Sequence, residues 1–230
     1  MNTHQTVAAV SVDENRLDRL AELAVRVGLN LQPGQDLLLT APLEAAPLVR
    51  RIAIHAYQAG AGLVTPLFAD PEVTLARFRH GADDAFDRAP GWLYDAMGKA
   101  FDANTARLAV VGDDPMLLAG EDPEKVGRAN KANSIAYTPA RERITRFDIN
   151  WNLVAWPGSA WAGRMFPELP RAEAVARLAD AIVAGRRGRP GRRLESAQRR
   201  SARPVRLDER EILPLAAFQG SRHRSHGRPG

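Results

Sequence analysis

Short apolar runs alternate with amphipathic helical segments along most of this 230-residue chain, and that alternation restricts its fold more than any other feature. Four runs have the length and apolar content of strands: 37–39, 63–68, 108–111 and 147–156. Strands that alternate with helices pair in parallel, because each helix returns the chain to the same end of the sheet. The sequence therefore predicts an α/β fold with a mostly parallel sheet and helices on both faces.

The helical segments are recognised by apolar residues three and four positions apart. Asp13 and Asp70 stand where an N-cap residue is expected, and Gly28 and Gly60 stand where helices commonly end. The predicted helices cover residues 13–27, 43–58, 70–80, 90–102, 121–135, 139–145, 161–166 and 171–183.

The last predicted strand, 147–156, has a period of two. Its apolar positions are Ile149, Trp151, Leu153 and Ala155, and its polar positions between them are Asp148, Asn150 and Asn152. This alternation is typical of a β-strand.

The regular pattern ends at residue 184. Residues 1–184 carry a net charge of −4, whereas residues 185–230 contain 13 arginines and only four acidic residues and carry +9. The tail is also rich in glycine and proline, and only 212–218 is apolar, so it has too little apolar surface to fold alone. We therefore expect a flexible N-terminus at 1–12, an α/β domain at 13–184 and a disordered basic tail at 185–230.

The sequence contains no cysteine. Disulfides, thiolate metal sites and a cysteine nucleophile are therefore excluded for these residues, as is typical of an intracellular protein. Residues 1–10 lack the pattern of a signal peptide, and no apolar stretch approaches the roughly 18 residues of a membrane span. We expect a soluble, cytoplasmic protein with no membrane partner.

Histidines and a glycine pair are the first candidates for a functional site. Gly60 and Gly62 lie between a helix and a strand, but a phosphate-binding loop requires the reverse order, so a helix end and turn is the better interpretation. His55 falls on an apolar helical stripe with no second histidine one turn away, which favours a hydrogen-bonded core or subunit-interface histidine. His80 ends a helix, where it can interact with the helix dipole.

Paired acids and clustered tryptophans are the other candidates. Asp83-Asp84 and Asp113-Asp114 lie in predicted loops, and the second pair follows a strand, where α/β sheets usually place ligands. Asp114 before Pro115, like Glu121 and Asp122 before Pro123, equally fits a helix start or a turn. Trp151, Trp156 and Trp161 are interpreted as a cluster in the core or at an interface. The residues alone therefore identify no catalytic, cofactor-binding or metal-binding residue.

Four stretches carry a family resemblance: residues 16–35, 57–61, 112–126 and 150–162. The most specific of them begins with Gly112-Asp113-Asp114-Pro115. These stretches resemble the thermophilic metallo-aminopeptidase family, which includes aminopeptidases T and S. The resemblance covers residues 12 to about 183.

The resemblance implies a two-part enzyme with an α/β N-terminal part and a C-terminal part that carries Glu, His, Asp and Tyr residues around a pair of divalent metals. Metal-activated water would attack the peptide bond next to a free N-terminus. It further implies zinc, cobalt or magnesium as cofactors, peptides as substrates and a homodimer for the full-length protein. None of the family's metal ligands has a counterpart here, so we expect this chain to end before the metal site, to bind no metal and to be inactive.

The tail departs from the family, and its codons suggest a reason. One possible coding sequence for residues 187–198 gives VDDPVAAWKAHN when it is read from its second base. This string resembles the family sequence that follows the helix predicted here at 171–183. Residues 218–230 allow FKGPGTDLTVGL in the same shifted frame. We therefore interpret the tail as a frame-shifted translation of an aminopeptidase gene.

Two other functions remain open at the level of sequence. The α/β domain alone could be a non-catalytic module that binds a small ligand or a protein partner. The arginine-rich tail could bind nucleic acid, but with a single aromatic residue, Phe218, such binding would be salt-sensitive and non-specific.

Overall fold

The structure is a computed structural model that describes residues 13–184. Its strands are β1 (Leu37–Pro42), β2 (Val64–Ala69), β3 (Ala106–Val111) and β4 (Trp151–Ala155). Its α-helices are α1 (Glu14–Leu23), α2 (Ala46–Gln58), α3 (Pro71–His80), α4 (Gly91–Asp102), α5 (Pro123–Thr145), α6 (Ser159–Met165) and α7 (Arg171–Ala184). The expectations of a flexible N-terminus at 1–12 and a disordered tail at 185–230 concern residues outside this range.

The four strands form a parallel sheet in the order β2-β1-β3-β4. The chain leaves β1 for β2 on one side and later returns to place β3 on the other side of β1. Helices α1 and α2 pack on one face, against Leu37, Leu39 and Leu108, whereas α4 and α5 pack on the other face, against Leu38. The predicted α/β fold with helices on both faces is confirmed.

The N-cap predictions are confirmed at both aspartates. Asp13 accepts a hydrogen bond from the backbone N–H of Asn15 at 2.9 Å, and Asp70 accepts one from Glu72 at 2.9 Å. Asp122 does the same for α5, where its carboxylate accepts from the N–H of Glu124. Each carboxylate satisfies a donor that the helix itself leaves free.

The predicted end of the first helix at Gly28 is wrong. After α1 the chain continues through a π-helical turn, Ala24–Leu29, and ends at Asn30, which takes up the left-handed conformation with φ of 52°. Gly28 lies inside this turn. A Cβ at this position would come 2.0 Å from Nδ2 of Asn152, and only glycine leaves room for that side chain. The glycine therefore permits close contact between the turn and β4.

Both faces of the last strand are packed: Ile149 and Trp151 lie against α4 and α5, and the face with the asparagines turns into the core on the other side of the sheet. Asn150 and Asn152 are buried, with Asn152 only 1% exposed, and Val154 on the same face joins the core against α1 and α2. Asn152 Nδ2 donates to the carbonyl oxygen of Ala24 at 3.2 Å, and Asn150 Nδ2 donates to that of Asn30 at 3.0 Å. The π-helical turn needs these donors, and so the amides point inward.

The boundaries of two other elements differ from the prediction. The two helices expected at 121–135 and 139–145 are one helix, α5, which continues through Pro139 because Ala140 and Ile144 beyond it pack into the core with α4. β4 begins at Trp151 instead of residue 147, because Phe147 has a positive φ of 56° and forms a turn.

In the described part of the chain, no helix is long and apolar enough to cross a membrane.

Candidate functional site

The carboxyl edge of the sheet is the place where this topology can hold a ligand. The chain departs in opposite directions from β1 and β3, and such a switch point opens a crevice beyond the strand ends. The segments that meet there contain Glu44 after β1, Asp113 and Asp114 after β3, and Ser159 at the start of α6.

A carboxylate, a hydroxyl and a guanidinium form one chain of hydrogen bonds at this edge. The Ser159 hydroxyl donates to Glu44 Oε2 at 3.0 Å, and its oxygen accepts from Nη2 of Arg171 at 2.9 Å. The backbone N–H of Ser159 also points to Glu44 Oε2 at 3.4 Å. The network ties the ends of β1 and β4 to the start of α7.

Asp114 forms the second polar contact of the edge. Arg164 Nε donates to its Oδ1 at 2.7 Å, and the backbone N–H of Met116 donates to the same oxygen at 2.9 Å. The hydrogen bond from Arg164 is the main reason why the pKa of Asp114 lies below its ordinary value. Asp114 is therefore ionised and engaged, as expected for a turn residue that anchors α6.

Two glycines bring β3 and β4 together at the same edge. Gly112 follows β3 and Gly158 follows β4, and a Cβ on Gly158 would come 2.0 Å from the carbonyl oxygen of Gly112. It would also lie 2.6 Å from Oε1 of Glu44. The close approach of these two backbones sets the spacing of the polar groups around them.

These contacts limit the chemistry that the side chains at the carboxyl edge of the sheet can perform. The exposed residues Glu44 and Asp113 supply the negative charge that attracts cations, whereas Asp114 is paired with a guanidinium. Among residues 13–184, no three side chains of His, Asp or Glu gather in a way that could hold a metal ion. Glu44, Ser159, Arg164 and Arg171 were missed by the sequence analysis, although their positions after predicted strands could have drawn attention to Glu44 and Ser159.

The other predicted site residues take no part in these contacts. His55 Nε2 is 3.0 Å from Asp18 Oδ1 across the α1–α2 contact, which agrees with a hydrogen-bonded core histidine, while its buried Nδ1 has no partner. His80 is exposed at the end of α3. Gly60, with φ of 91°, forms a turn between α2 and β2 at the opposite edge of the sheet. His4, the remaining histidine before the basic tail, lies outside the described residues.

The other acidic pair has a structural role. Arg128 of α5 contacts both oxygens of Asp83 at 3.0 Å, and it contacts Asp87 at 2.9 and 2.5 Å. Hydrogen bonds from Arg128 are the main reason why the pKa values of both carboxyls are lowered. Asp84 pairs instead with Arg88 at 3.4 Å. These contacts fix the 3-10 turn Asp83–Asp87 on α5.

The three tryptophans do not form the predicted cluster. Trp156 is buried in the core against α1 and α2, Trp151 packs on the opposite face of the sheet, and Trp161 packs between α6 and α7. Trp151 also stacks on Phe147 with ring centroids 6.1 Å apart. Trp151 and Trp156 are an odd number of positions apart, so their side chains point to opposite faces along the extended chain, and Trp161 belongs to helix α6.

A comparison with known families decides the relationship. The family model described as thermophilic metalloprotease (M29) matches residues 13–189. The chain belongs to the M29 family. This assignment confirms the resemblance drawn from the sequence stretches at 16–35, 57–61, 112–126 and 150–162.

Similar M29 proteins are named as aminopeptidases. Over 169 residues the chain is 50% identical to aminopeptidase T of Thermus thermophilus, and 40% identical to aminopeptidase 2 of Geobacillus stearothermophilus. Each match covers 74% of this chain and 41% of the relative. The chain therefore spans about two-fifths of the length of these M29 relatives.

A solved M29 structure has the same fold. The wild-type AmpT structure from Thermus thermophilus matches with a TM-score of 0.72 and 49% sequence identity, covering 74% of this chain and 43% of that one. The M29 stretch at 150–162 includes Asn150 and Asn152, whose amides bind the π-helical turn. That part of the family resemblance therefore coincides with a packing motif.

Proposed function

We propose that the protein is a metal-dependent aminopeptidase that removes N-terminal amino acids from peptides. The observation that carries the proposal is the 50% identity to aminopeptidase T over 169 residues, together with the match to a metalloprotease family. The proposal includes zinc, cobalt or magnesium as the metal, a homodimer for the full-length enzyme and the cytoplasmic location expected from the sequence.

We further propose that residues 13–184 are a non-catalytic part of this enzyme. A hydrolytic metal needs three or four ligands in fixed geometry and one open position. The edge residues Glu44, Asp113 and Asp114 are not gathered into such a set, and no other such set occurs within residues 13–184. In this proposal the described domain supports and orients a metal-bearing part, and residues 187–230 are a frame-shifted version of family sequence.

The 230-residue chain is therefore expected to be inactive by itself. Purified chain would be incubated with short peptides and an excess of zinc, cobalt or magnesium, and the release of free amino acids would be measured. We expect no release above that of a mock purification from the same host, because the described residues hold no metal centre. Turnover that requires added metal, is abolished by a chelator and exceeds the mock preparation would contradict this part of the proposal.

A further inference from the structure

A cavity of about 330 Å³ opens between α3 and α5. It lies beyond the carboxyl end of the sheet, since α3 follows β2 and the loop with Leu118 follows β3. Val73, Phe78, Leu118 and Ala129 form its apolar lining. Val73 is 69% exposed, so the cavity is open to solvent on this side. Its volume falls at the lower end of the range of small-molecule sites.

Polar side chains complete the lining: Thr74, Arg77, Asn130 and Asn133. Nη2 of Arg77 donates to the carbonyl oxygens of Ala85 at 2.5 Å and Arg88 at 2.8 Å, which fixes the guanidinium beside the cavity. The amide oxygen of Asn133 accepts a hydrogen bond from the Tyr94 hydroxyl at 3.3 Å, which orients this carboxamide.

The charge of Arg77 is the feature that selects a ligand. Within residues 13–184, no carboxylate forms an ion pair with Arg77. By contrast, Arg79 is paired with Glu121, and Arg128 is paired with Asp83 and Asp87. The guanidinium is thus held beside the cavity by backbone carbonyls, and its carbon also lies 5.9 Å from the centroid of the Phe86 ring. A planar guanidinium is well suited to bind a carboxylate.

We propose that this cavity binds a small monocarboxylate with an aliphatic body and an amide group, of about the size of an N-acylated amino acid. The carboxylate contacts Arg77, the amide pairs with the carboxamides of Asn130 and Asn133, which both donate and accept hydrogen bonds, and the aliphatic part packs on Val73 and Leu118. The proposal concerns binding alone and does not depend on peptide hydrolysis.

The direct test is an NMR titration of the ¹⁵N-labelled 230-residue chain with N-acetyl-leucine. We expect saturable shifts of the backbone amides at 73–78 and 129–133, with a dissociation constant of about 2 mM for a ligand of about a dozen non-hydrogen atoms. N-acetyl-leucinamide has the same shape without the charge, and we expect it to bind about tenfold more weakly because it loses the charged hydrogen bond. No saturation at ten times the expected constant, or equal binding of the acid and the amide, would overturn the proposal.

Two surface variants and one control variant test the location of the site. Asn130→Leu removes one carboxamide at an exposed position and is expected to weaken binding of N-acetyl-leucine about tenfold. Ser134→Leu, one turn further along the same exposed helix face, is the matched control and is expected to leave binding unchanged. Val73→Trp, which fills the open side, is expected to abolish binding. Unaltered binding in both Asn130→Leu and Val73→Trp would show that the ligand binds elsewhere.

Discussion

Gly158→Ala is expected to destabilise the domain by roughly 3 kcal/mol, a large part of the stability of an ordinary domain. The added Cβ would lie 2.0 Å from the carbonyl oxygen of Gly112 and 2.6 Å from Oε1 of Glu44. The carbonyl belongs to the backbone just after β3 and cannot rotate away as a flexible side chain could. Relief therefore requires the ends of β3 and β4 to move apart, which breaks the contacts at the carboxyl edge.

Gly163→Ala is the matched control for this prediction. Gly163 lies in α6 only five positions further on, and a Cβ there would meet no atom within 4 Å. The change should be neutral or stabilising by up to about 1 kcal/mol, because alanine favours the helix. Urea unfolding of both variants measures the difference. A Gly158→Ala variant as stable as Gly163→Ala would show that the two backbones are not in close contact.

Gly28→Ala and Asn152→Ala are expected to show strong coupling in a double-mutant cycle. Alone, Asn152→Ala should cost about 1–3 kcal/mol, because it removes the donor to the buried carbonyl of Ala24. Alone, Gly28→Ala should cost about 2 kcal/mol, because the new Cβ would lie 2.0 Å from Asn152 Nδ2, an atom that the core holds in place.

Gly28→Ala should no longer destabilise the domain once Asn152 is replaced by alanine. With alanine at 152 the clash disappears, so Gly28→Ala should then be neutral or slightly stabilising, which gives a coupling free energy of about 2 kcal/mol. Denaturant unfolding of the four proteins measures it, with Gly127→Ala on the open face of α5 as a control for helix propensity. Additive effects of the two substitutions would mean that the π-helical turn does not rest on Asn152.

The order of helices and strands was predictable because it depends on local patterns. The apolar runs at 37–39 and 108–111 lie in β1 and β3, and the aspartates at 13 and 70 cap their helices as expected. Apolar periodicity and capping both act between residues that are close in sequence, so each can be recognised without knowing the fold.

Other features were not predictable because they depend on contacts between distant residues. Asn152 is buried because it donates a hydrogen bond to the carbonyl oxygen of Ala24, 128 positions away, and the alternation of β4 gives no sign of this contact. Gly28 lies inside a helical turn instead of ending the helix, and its close contact with Asn152 is likewise between residues distant in sequence. Glu44 and Ser159 meet over 115 positions, so the candidate site exists only once the strands are assembled.

The central claim, aminopeptidase function, is tested most directly by an assay of the protein encoded when the reading frame is moved by one base just before codon 187. The gene of the 230-residue chain would first be sequenced through the codons for residues 180–230. The frame-corrected protein would then be compared with the 230-residue chain, and the two differ only from codon 187 onward. We predict that the corrected protein releases N-terminal amino acids from peptides with added divalent metal and loses this activity with a chelator. A shifted frame without the sequences VDDPVAAWKAHN and FKGPGTDLTVGL, or a corrected, folded protein with no metal-dependent hydrolysis, would contradict the account.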